Sequence, residues 1–274
     1  MHLSRLMESP HLNRYGWLES FQDSEVKEKK ALREHLGLSP DRPVALLLPN
    51  LTFDSTLLTP TVNTVFKDSH DWVHKTVSYF VDHPHLQLII RPHPKEKVTE
   101  TNDPTQGLVL SEFSELPDNI FLIDTHSEIN TYGLIEISDL GIVYITDCGF
   151  EMVLRSKPVI TCGRAKFSDK GITLEPKNLE EYYGMLDRFS EDRNAFPVSK
   201  EQKEKAAFFE YFLWNNLHQP FPWRPAGIWG NMKDFPMETV LSYEGGAPFR
   251  ESFSIISGAD PSLYGVVGKT RILT

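Results

Sequence analysis

The stretch SHDWVHKTVSYFVDHPHLQLII, residues 69–90, places an amphipathic segment directly before a mostly apolar one. Its first part carries apolar residues at helical spacing, namely Trp72, Val73, Val77, Phe80 and Val81. The second part, Leu86–Ile90, is a short run typical of a strand that is buried on both faces. A helix followed by a buried strand is the repeating unit of an α/β protein.

The same unit recurs on both sides of residues 69–90. The predicted strands cover residues 43–48, 86–90, 119–123, 140–145 and 158–161. The predicted helices cover residues 69–82, 128–137, 149–155 and 179–189, and a longer helix covers 198–217. Strands separated by helices of this length favour a parallel sheet with right-handed crossovers. We therefore predict an α/β fold in which helices cover both faces of a parallel sheet.

The pattern divides the chain into three predicted regions. Residues 41–195 form the sheet domain, residues 1–40 a helical and irregular N-terminal segment, and residues 196–274 a C-terminal helix with an irregular, aromatic-rich tail. Within the N-terminal segment, residues 24–36 predict an amphipathic helix that begins at Ser24 and stops at Gly37. Four aromatic residues of the last region either pack on the domain's own flank or form an exposed apolar surface: Trp214, Phe221, Trp223 and Trp229.

Composition excludes several classes of protein. The chain has 274 residues and a net charge of −10, which argues against non-specific binding to nucleic acids or anionic membranes. Cys148 and Cys162 cannot make a disulfide framework, and their spacing fits no zinc site, so we expect two reduced thiols and no metal. The sequence shows no signal peptide and no apolar run long enough to cross a membrane, so we expect a cytoplasmic protein without an integral membrane segment.

Polar side chains gather where the predicted strands end. Ligands of open parallel sheets bind beyond the carboxyl ends of the strands, which makes these loops the expected site. The loops supply hydroxyl, imidazole, amide and cationic groups that converge on one edge. The candidate binding residues are Asn50, Arg91, His93, His126, Thr146, Gly149, Glu151 and Arg164, and Asp54 is a carboxylate in the first loop.

The sequence Arg91-Pro-His-Pro94 is the sharpest local signal. Two prolines restrict the backbone on either side of His93, so its imidazole is held in place. A held imidazole can donate a hydrogen bond to a phosphate or a sugar, and the alternative is a solvated histidine at a capped strand end. Arg91 either binds the ligand or lies behind the site and orients a carboxylate.

The sequence Thr146-Asp-Cys-Gly-Phe-Glu151 joins a strand directly to a helix. The first amides of that helix can bind an anionic group, Thr146 adds a hydroxyl, and Gly149 allows a close backbone approach. Glu151 either bonds ribose hydroxyls or complements the helix dipole. Asp147 would repel a phosphate, so we expect it to point away or to cap the helix. The usual dinucleotide, Walker and hydrolase motifs are missing from the sequence.

Five motifs in order resemble one known family. They are Leu46-Leu-Leu-Pro-Asn50 with Asp54, Ile89-Ile-Arg-Pro-His-Pro-Lys-Glu96, Ile129-Asn-Thr-Tyr-Gly-Leu-Ile135, Thr146-Asp-Cys-Gly-Phe-Glu151 and Ser156-Lys-Pro-Val-Ile-Thr-Cys-Gly163. Over roughly residues 40–175 the chain resembles bacterial capsule polysaccharide biosynthesis proteins. These are similar to GT-B glycosyltransferases, including the Kdo and sialic acid transferases that carry a His-Pro motif.

The resemblance implies a Rossmann-like domain, the donor-binding C-terminal half of a GT-B enzyme. His93 then matches the histidine that contacts the phosphate of the donor nucleotide. Thr146 matches the first member of a hydroxyl pair that also contacts the nucleotide, and Asp147 replaces the second hydroxyl. Ser156 replaces a glycine in a turn, a change of little consequence.

The function implied is transfer of a nucleotide-activated sugar, with CMP as one candidate nucleotide, to a glycan acceptor in capsule or surface polysaccharide synthesis. No cofactor is implied, and the protein would act in the cytoplasm or at the inner face of the membrane. A GT-B enzyme needs a second domain that normally carries the general base, so we expect a missing N-terminal domain or a partner subunit. Asp54 is the local substitute base, although a structural role in the Asn50 loop is the alternative. Two further functions stay open: a non-catalytic nucleotide-sugar-binding or assembly module, and a CDP-glycerol-type polyol-phosphate transferase.

Overall fold

Five parallel strands form one sheet in the part of the chain that the structure describes. The computed structural model describes residues 29–51, 64–97, 104–215, 222 and 236–257. The strands are β1 (Val44–Leu48), β2 (Gln87–Ile90), β3 (Ile120–Leu122), β4 (Leu140–Val143) and β5 (Val159–Thr161). They pair in the order β3-β2-β1-β4-β5, and every pairing is parallel. The predicted parallel α/β fold is therefore confirmed.

Helices alternate with the strands. Before, between and after the strands lie α1 (Lys29–Leu36), α2 (Ser69–Asp82), a 3-10 turn (Pro94–Lys97), α3 (Thr105–Glu112), α4 (Thr131–Ile137), α5 (Cys148–Leu154), α6 (Leu179–Glu191) and α7 (Lys200–Asn215). Three short elements follow: α8 (Met237–Val240), a 3-10 turn (Ala247–Phe249) and α9 (Arg250–Ile256).

The apolar strands are buried because helices cover both sheet faces. All residues of β1, β2, β4 and β5 are buried. Helix α2 packs against α6, where the Thr76 hydroxyl lies 2.6 Å from the Tyr182 hydroxyl. Helix α5 packs against α7, where the rings of Phe150 and Phe209 meet edge to face at 5.3 Å. Burial of these large side chains is the main source of the domain's stability.

The first helix ends as the sequence predicts. Gly37 has φ of 70°, the left-handed conformation that a glycine adopts without a Cβ clash. The Leu38 amide donates to the Arg33 carbonyl at 2.9 Å, which completes the stop signal. Ser24 and the rest of residues 1–28 lie outside the described residues, as do Phe221, Trp223, Trp229 and the Trp214 side chain.

Two compact units divide the chain between Glu210 and Tyr211. The first contains the sheet and its helices. In the second, the short helices α8 and α9 occupy a region for which the sequence predicts irregular structure, and the rings of Phe249 and Phe253 meet at 6.4 Å. Among the described residues, none of the helices is both long and apolar enough to cross a bilayer.

Candidate functional site

One row of residues crosses all five strands in register. Leu122, Ile90, Leu47, Ile142 and Ile160 are successive partners across the sheet. Asn50 and His93 follow this row by three residues along their strands, and His126, Thr146 and Arg164 follow it by four. Five of the predicted site residues therefore leave the sheet at the same edge, the carboxyl edge, where open parallel sheets bind ligands.

The point where the strand order reverses lies at β1. From β1 the chain runs outward to β2 and β3, and then returns to β4 on the other side. The Asn50 side chain bridges this point, because its Oδ1 accepts a hydrogen bond from the Ile145 amide at 3.2 Å. β2 and β4 flank β1, so their ends lie roughly 10 Å apart, the sum of two strand spacings. The loops after β2 and β4 therefore lie on either side of the end of β1.

His93 lies on the β2 side of this edge, half-buried between its two prolines. Its Nδ1 accepts a hydrogen bond from the Lys95 amide at 3.1 Å. An acceptor nitrogen carries no proton, so the proton of the neutral ring is on Nε2 and that nitrogen is a donor. The local backbone therefore sets the tautomer that can donate to a phosphate oxygen.

Arg91 is buried, and its contacts are with the neighbouring loop. Its guanidinium donates to the carbonyl oxygens of Asp124 at 3.2 Å and Ser127 at 3.4 Å, both in the loop after β3. Burial lowers the pKa of Arg91, although Asp124 and Glu96 lie near enough to oppose that effect. The structure thus places Arg91 behind the site, where it holds backbone carbonyls.

His126 is exposed at the tip of that loop. Its amide donates to Asp124 Oδ1 at 2.8 Å, and this hydrogen bond is the main reason that the pKa of Asp124 is lowered. The imidazole Nδ1 lies 3.6 Å from the same oxygen. Asp124 therefore holds the backbone of His126, while the imidazole stays exposed at the edge of the site.

The first amides of α5 form hydrogen bonds within their own turn. The Gly149 amide donates to the Thr146 carbonyl at 3.1 Å, and the Cys148 amide approaches Thr146 Oγ1 at 3.5 Å. Asp147 occupies the N-cap position without a side-chain capping bond and pairs instead with Lys166 at 3.5 Å. Of the two alternatives expected for Asp147, the cap is the one that does not form, and α5 has only seven residues. The contacts of the Gly149 and Cys148 amides with Thr146 therefore stabilise this turn.

Gly149 is needed for packing. A Cβ at this position would lie 2.5 Å from Phe167 Cζ and 3.3 Å from Val143 Cγ2. The sequence predicts that Gly149 lets its backbone approach a neighbouring group closely, and in the structure that group is the Phe167 ring.

Glu151 is paired with a residue that the sequence analysis did not single out. The Tyr132 hydroxyl donates to Glu151 Oε2 at 3.0 Å. Burial is the largest cause that raises the pKa of Glu151 to about 7, and the carboxylates of Asp147 and Glu210 raise it further. Tyr132 lies in the first turn of α4, where Asn130 caps the helix. The N-cap signal at Asn130 places Tyr132 at the carboxyl edge, but nothing in the sequence pairs it with Glu151.

The loop after β5 carries the predicted residue Arg164. Arg164 is exposed and pairs with Asp169 at 3.3 Å, within its own loop. The loop after β5 is tied to the β1 loop by Thr64, whose hydroxyl donates to the Cys162 carbonyl at 2.9 Å. Asp54 lies outside the described residues. Within the described ranges, no cluster of three His, Cys, Asp or Glu side chains could hold a metal ion.

Comparison with known proteins adds the family. Residues 38–211 match the family model described as capsule polysaccharide biosynthesis protein. No curated protein sequence matches the chain.

Solved structures share parts of the fold at low identity. The Kdo 2,4 transferase KpsC of Thermosulfurimonas dismutans is 16% identical over 65% of this chain and 52% of its own, with a TM-score of 0.42. UDP-GlcNAc 2-epimerase of Neisseria meningitidis is 12% identical over 77% of this chain and 52% of its own, with a TM-score of 0.44. A sucrose-phosphate synthase of Thermosynechococcus elongatus is 15% identical over 69% of this chain and 48% of its own, with a TM-score of 0.44.

The chain spans about half the length of these solved proteins. The family model covers more than half of the chain, including every strand and the loops at the carboxyl edge. The chain therefore belongs to the family of capsule polysaccharide biosynthesis proteins.

Proposed function

We propose that this chain is the donor-binding part of a glycosyltransferase that uses a nucleotide-activated sugar in capsule or surface polysaccharide synthesis. Membership of the family supports the biological process. The observation that carries the proposal is the shared register, which brings Asn50, His93 and Thr146 to one edge around the reversal point at β1. Sites of this geometry suit nucleotides.

In the proposed sugar transfer, this domain positions the donor and stabilises the charge that develops on the leaving phosphate. Transfer breaks the bond between the anomeric carbon and the leaving phosphate oxygen, so negative charge develops on that phosphate. A fixed donor aimed at the developing charge lowers the barrier without any covalent step. His93 fits this task, because the Lys95 amide leaves its proton on Nε2. Glu151 offers a carboxylate for the ribose hydroxyls.

The acceptor and the general base belong to the other half of the proposed site. A general base must lie within hydrogen-bond reach of the acceptor hydroxyl that it deprotonates. We propose that a second domain or a partner subunit supplies it, with Asp54 as the substitute within this chain. The 274-residue chain alone would then bind donor without transferring sugar.

Calorimetric titration with CMP, UDP and GDP tests the proposal. We expect at least one of them to bind, and His93→Ala to weaken that binding about tenfold because a hydrogen bond to a charged phosphate is lost. The matched control is His35→Ala, an exposed histidine on α1, which should leave binding unchanged. If no nucleotide binds, or if both variants behave alike, the phosphate role of His93 is wrong.

An assay with labelled donor and mixed surface glycans separates the enzyme from a binding module. No transfer by the isolated chain, followed by transfer when the second half is supplied, supports the half-enzyme. Robust transfer by the 274-residue chain alone contradicts it, and loss of that transfer in Asp54→Asn would then identify the base.

A further inference from the structure

Tyr132 and Glu151 form a hydrogen-bonded pair between the first turns of two helices at the ligand edge. The Tyr132 amide donates to the Asn130 side chain at 2.8 Å, which fixes the start of α4. The Tyr132 hydroxyl donates to Glu151 Oε2 at 3.0 Å. This geometry turns one carboxylate oxygen toward Tyr132 and leaves Oε1 for other donors.

A cation is held against the other side of the tyrosine. The Arg155 guanidinium lies 4.7 Å from the centre of the Tyr132 ring. Glu136 accepts from Arg155 at 3.4 Å and also pairs with Lys29 at 2.8 Å. These contacts anchor Arg155 over the ring, and its charge favours the ionised form of Glu151 through space.

The surroundings of Glu151 are otherwise unfavourable to its charge. It is half-buried on α5, and it faces Asp147 and Cys148 of its own helix and Glu210 of α7. Opposing them are the Tyr132 hydroxyl on α4 and Arg155 on α5, and the balance leaves the pKa of Glu151 at about 7. At neutral pH small changes in its contacts therefore decide whether Glu151 is ionised.

We propose that Tyr132 is a positioning residue that orients the Glu151 carboxylate, through the hydrogen bond to Oε2, to accept hydrogen bonds from the ribose hydroxyls of the donor nucleotide. An ionised carboxylate only accepts hydrogen bonds, whereas a protonated one presents a donor to the hydroxyls. The proposal deepens the proposed function and rests on it for the identity of the ligand. The pairing itself rests on the geometry of α4 and α5.

Tyr132→Phe separates this role from a structural one when binding is measured at two pH values. By calorimetry the wild-type chain should bind CMP about 5- to 10-fold more tightly than 2′-deoxy-CMP at pH 7. The variant should lose most of that preference at pH 7, because the carboxylate loses the hydrogen bond that orients it and its protonated fraction rises. At pH 9, where Glu151 ionises without help, the variant should recover to within about twofold of wild type. If UDP or GDP binds more tightly than CMP, the same comparison is made with that nucleotide and its 2′-deoxy form in place of CMP and 2′-deoxy-CMP.

Tyr79→Phe is the matched control. The Tyr79 hydroxyl donates to Asp187 Oδ1 at 2.7 Å, so this variant removes the same type of hydrogen bond between α2 and α6. Its preference for ribose over deoxyribose should equal that of wild type at both pH values.

Two results would overturn the proposal. One is a loss of affinity in Tyr132→Phe that is equal for both nucleotides or equal at pH 7 and pH 9. The other comes from ligand-free protein, in which a carbon-13 NMR titration follows the Glu151 carboxyl. If the pKa of Glu151 does not rise in Tyr132→Phe, Tyr132 does not control its charge. If the wild-type chain binds none of the nucleotides, the proposed function fails with the ribose contact, while a raised pKa of Glu151 still upholds Tyr132 as the group that sets its ionisation.

Discussion

At the scale of single residues, Glu151 links stability to pH. Its pKa is raised by burial from 4.5 to about 7, so the folded protein binds a proton more tightly than the unfolded chain. The stability contributed by the protonated form is fully present below about pH 4.5 and is lost as the pH rises through about 7.

Glu151→Gln should therefore become more stable relative to wild type as the pH rises. The glutamine keeps an acceptor for Tyr132 but cannot ionise. Between pH 4.5 and pH 8 we expect the difference in free energy of unfolding to shift by on the order of 1–3 kcal/mol in favour of the variant. Urea denaturation at both pH values measures it, and a difference that does not change with pH would contradict the burial of this charge.

Two glycines in α5 and α6 should respond to alanine in opposite directions. Gly149→Ala forces a Cβ to within 2.5 Å of Phe167 Cζ, so we expect a loss of about 1–3 kcal/mol. Gly184→Ala in α6 meets nothing within 4 Å, so its better helix propensity should stabilise the protein by roughly 0.5–1 kcal/mol. Thermal unfolding of the pair checks the prediction. Equal effects would mean that Gly149 is not kept for packing.

At the scale of elements, α3 depends on a buried carboxylate from the loop after β2. Its N-cap, Pro104, makes no side-chain capping bond. Glu96 replaces the cap, because it accepts from the Thr105 amide at 3.0 Å and from the Thr105 hydroxyl at 2.7 Å. The same loop carries His93, so the cap also fixes one side of the site.

Glu96→Ala should loosen α3 before the rest of the domain. Loss of a helix cap costs about 1–2 kcal/mol, and the amides of Thr105–Glu112 should exchange with solvent faster while those of α2 stay protected. Glu96→Gln is the control, since it keeps one acceptor oxygen and should show a smaller effect. Unchanged exchange in α3 with Glu96→Ala would show that the cap does not matter.

The elements differ in how well the sequence predicts them. The apolar spacing of residues 69–82 predicts α2 with the bounds that the structure has, because its own residues set both its face and its ends. The sequence does not predict α3, since its cap comes from Glu96, nine residues before Thr105 along the chain. It predicts β4 over residues 140–145, but the strand ends at Val143, and the Ile145 amide donates to the Asn50 side chain.

The sequence predicts where the candidate site lies better than it predicts the contacts of the individual residues. The edge follows from the rule for parallel sheets and requires only the strand ends, so Asn50, His93 and Thr146 were found. The roles of Arg91 and Gly149 depend on which neighbours they meet in three dimensions, namely two carbonyl groups and the Phe167 ring. The pairing of Tyr132 with Glu151 joins residues 19 positions apart on different helices, a distance at which no spacing rule applies.

At the scale of the whole molecule, the sheet supports the loops in which the candidate site residues lie. The buried strands set the register, and the register brings groups from distant parts of the chain to one edge. In the proposed function this part of the enzyme holds the donor, and the acceptor arrives from a second domain or subunit.

Hydrogen–deuterium exchange with saturating CMP shows whether this edge of the sheet binds the nucleotide of the donor. We expect slower exchange in residues 90–95 and 144–151, which flank the end of β1, and no change in residues 37–43 and 83–87 at the opposite edge. CMP that binds but protects only the opposite edge, or leaves both carboxyl-edge segments unchanged, would contradict the account.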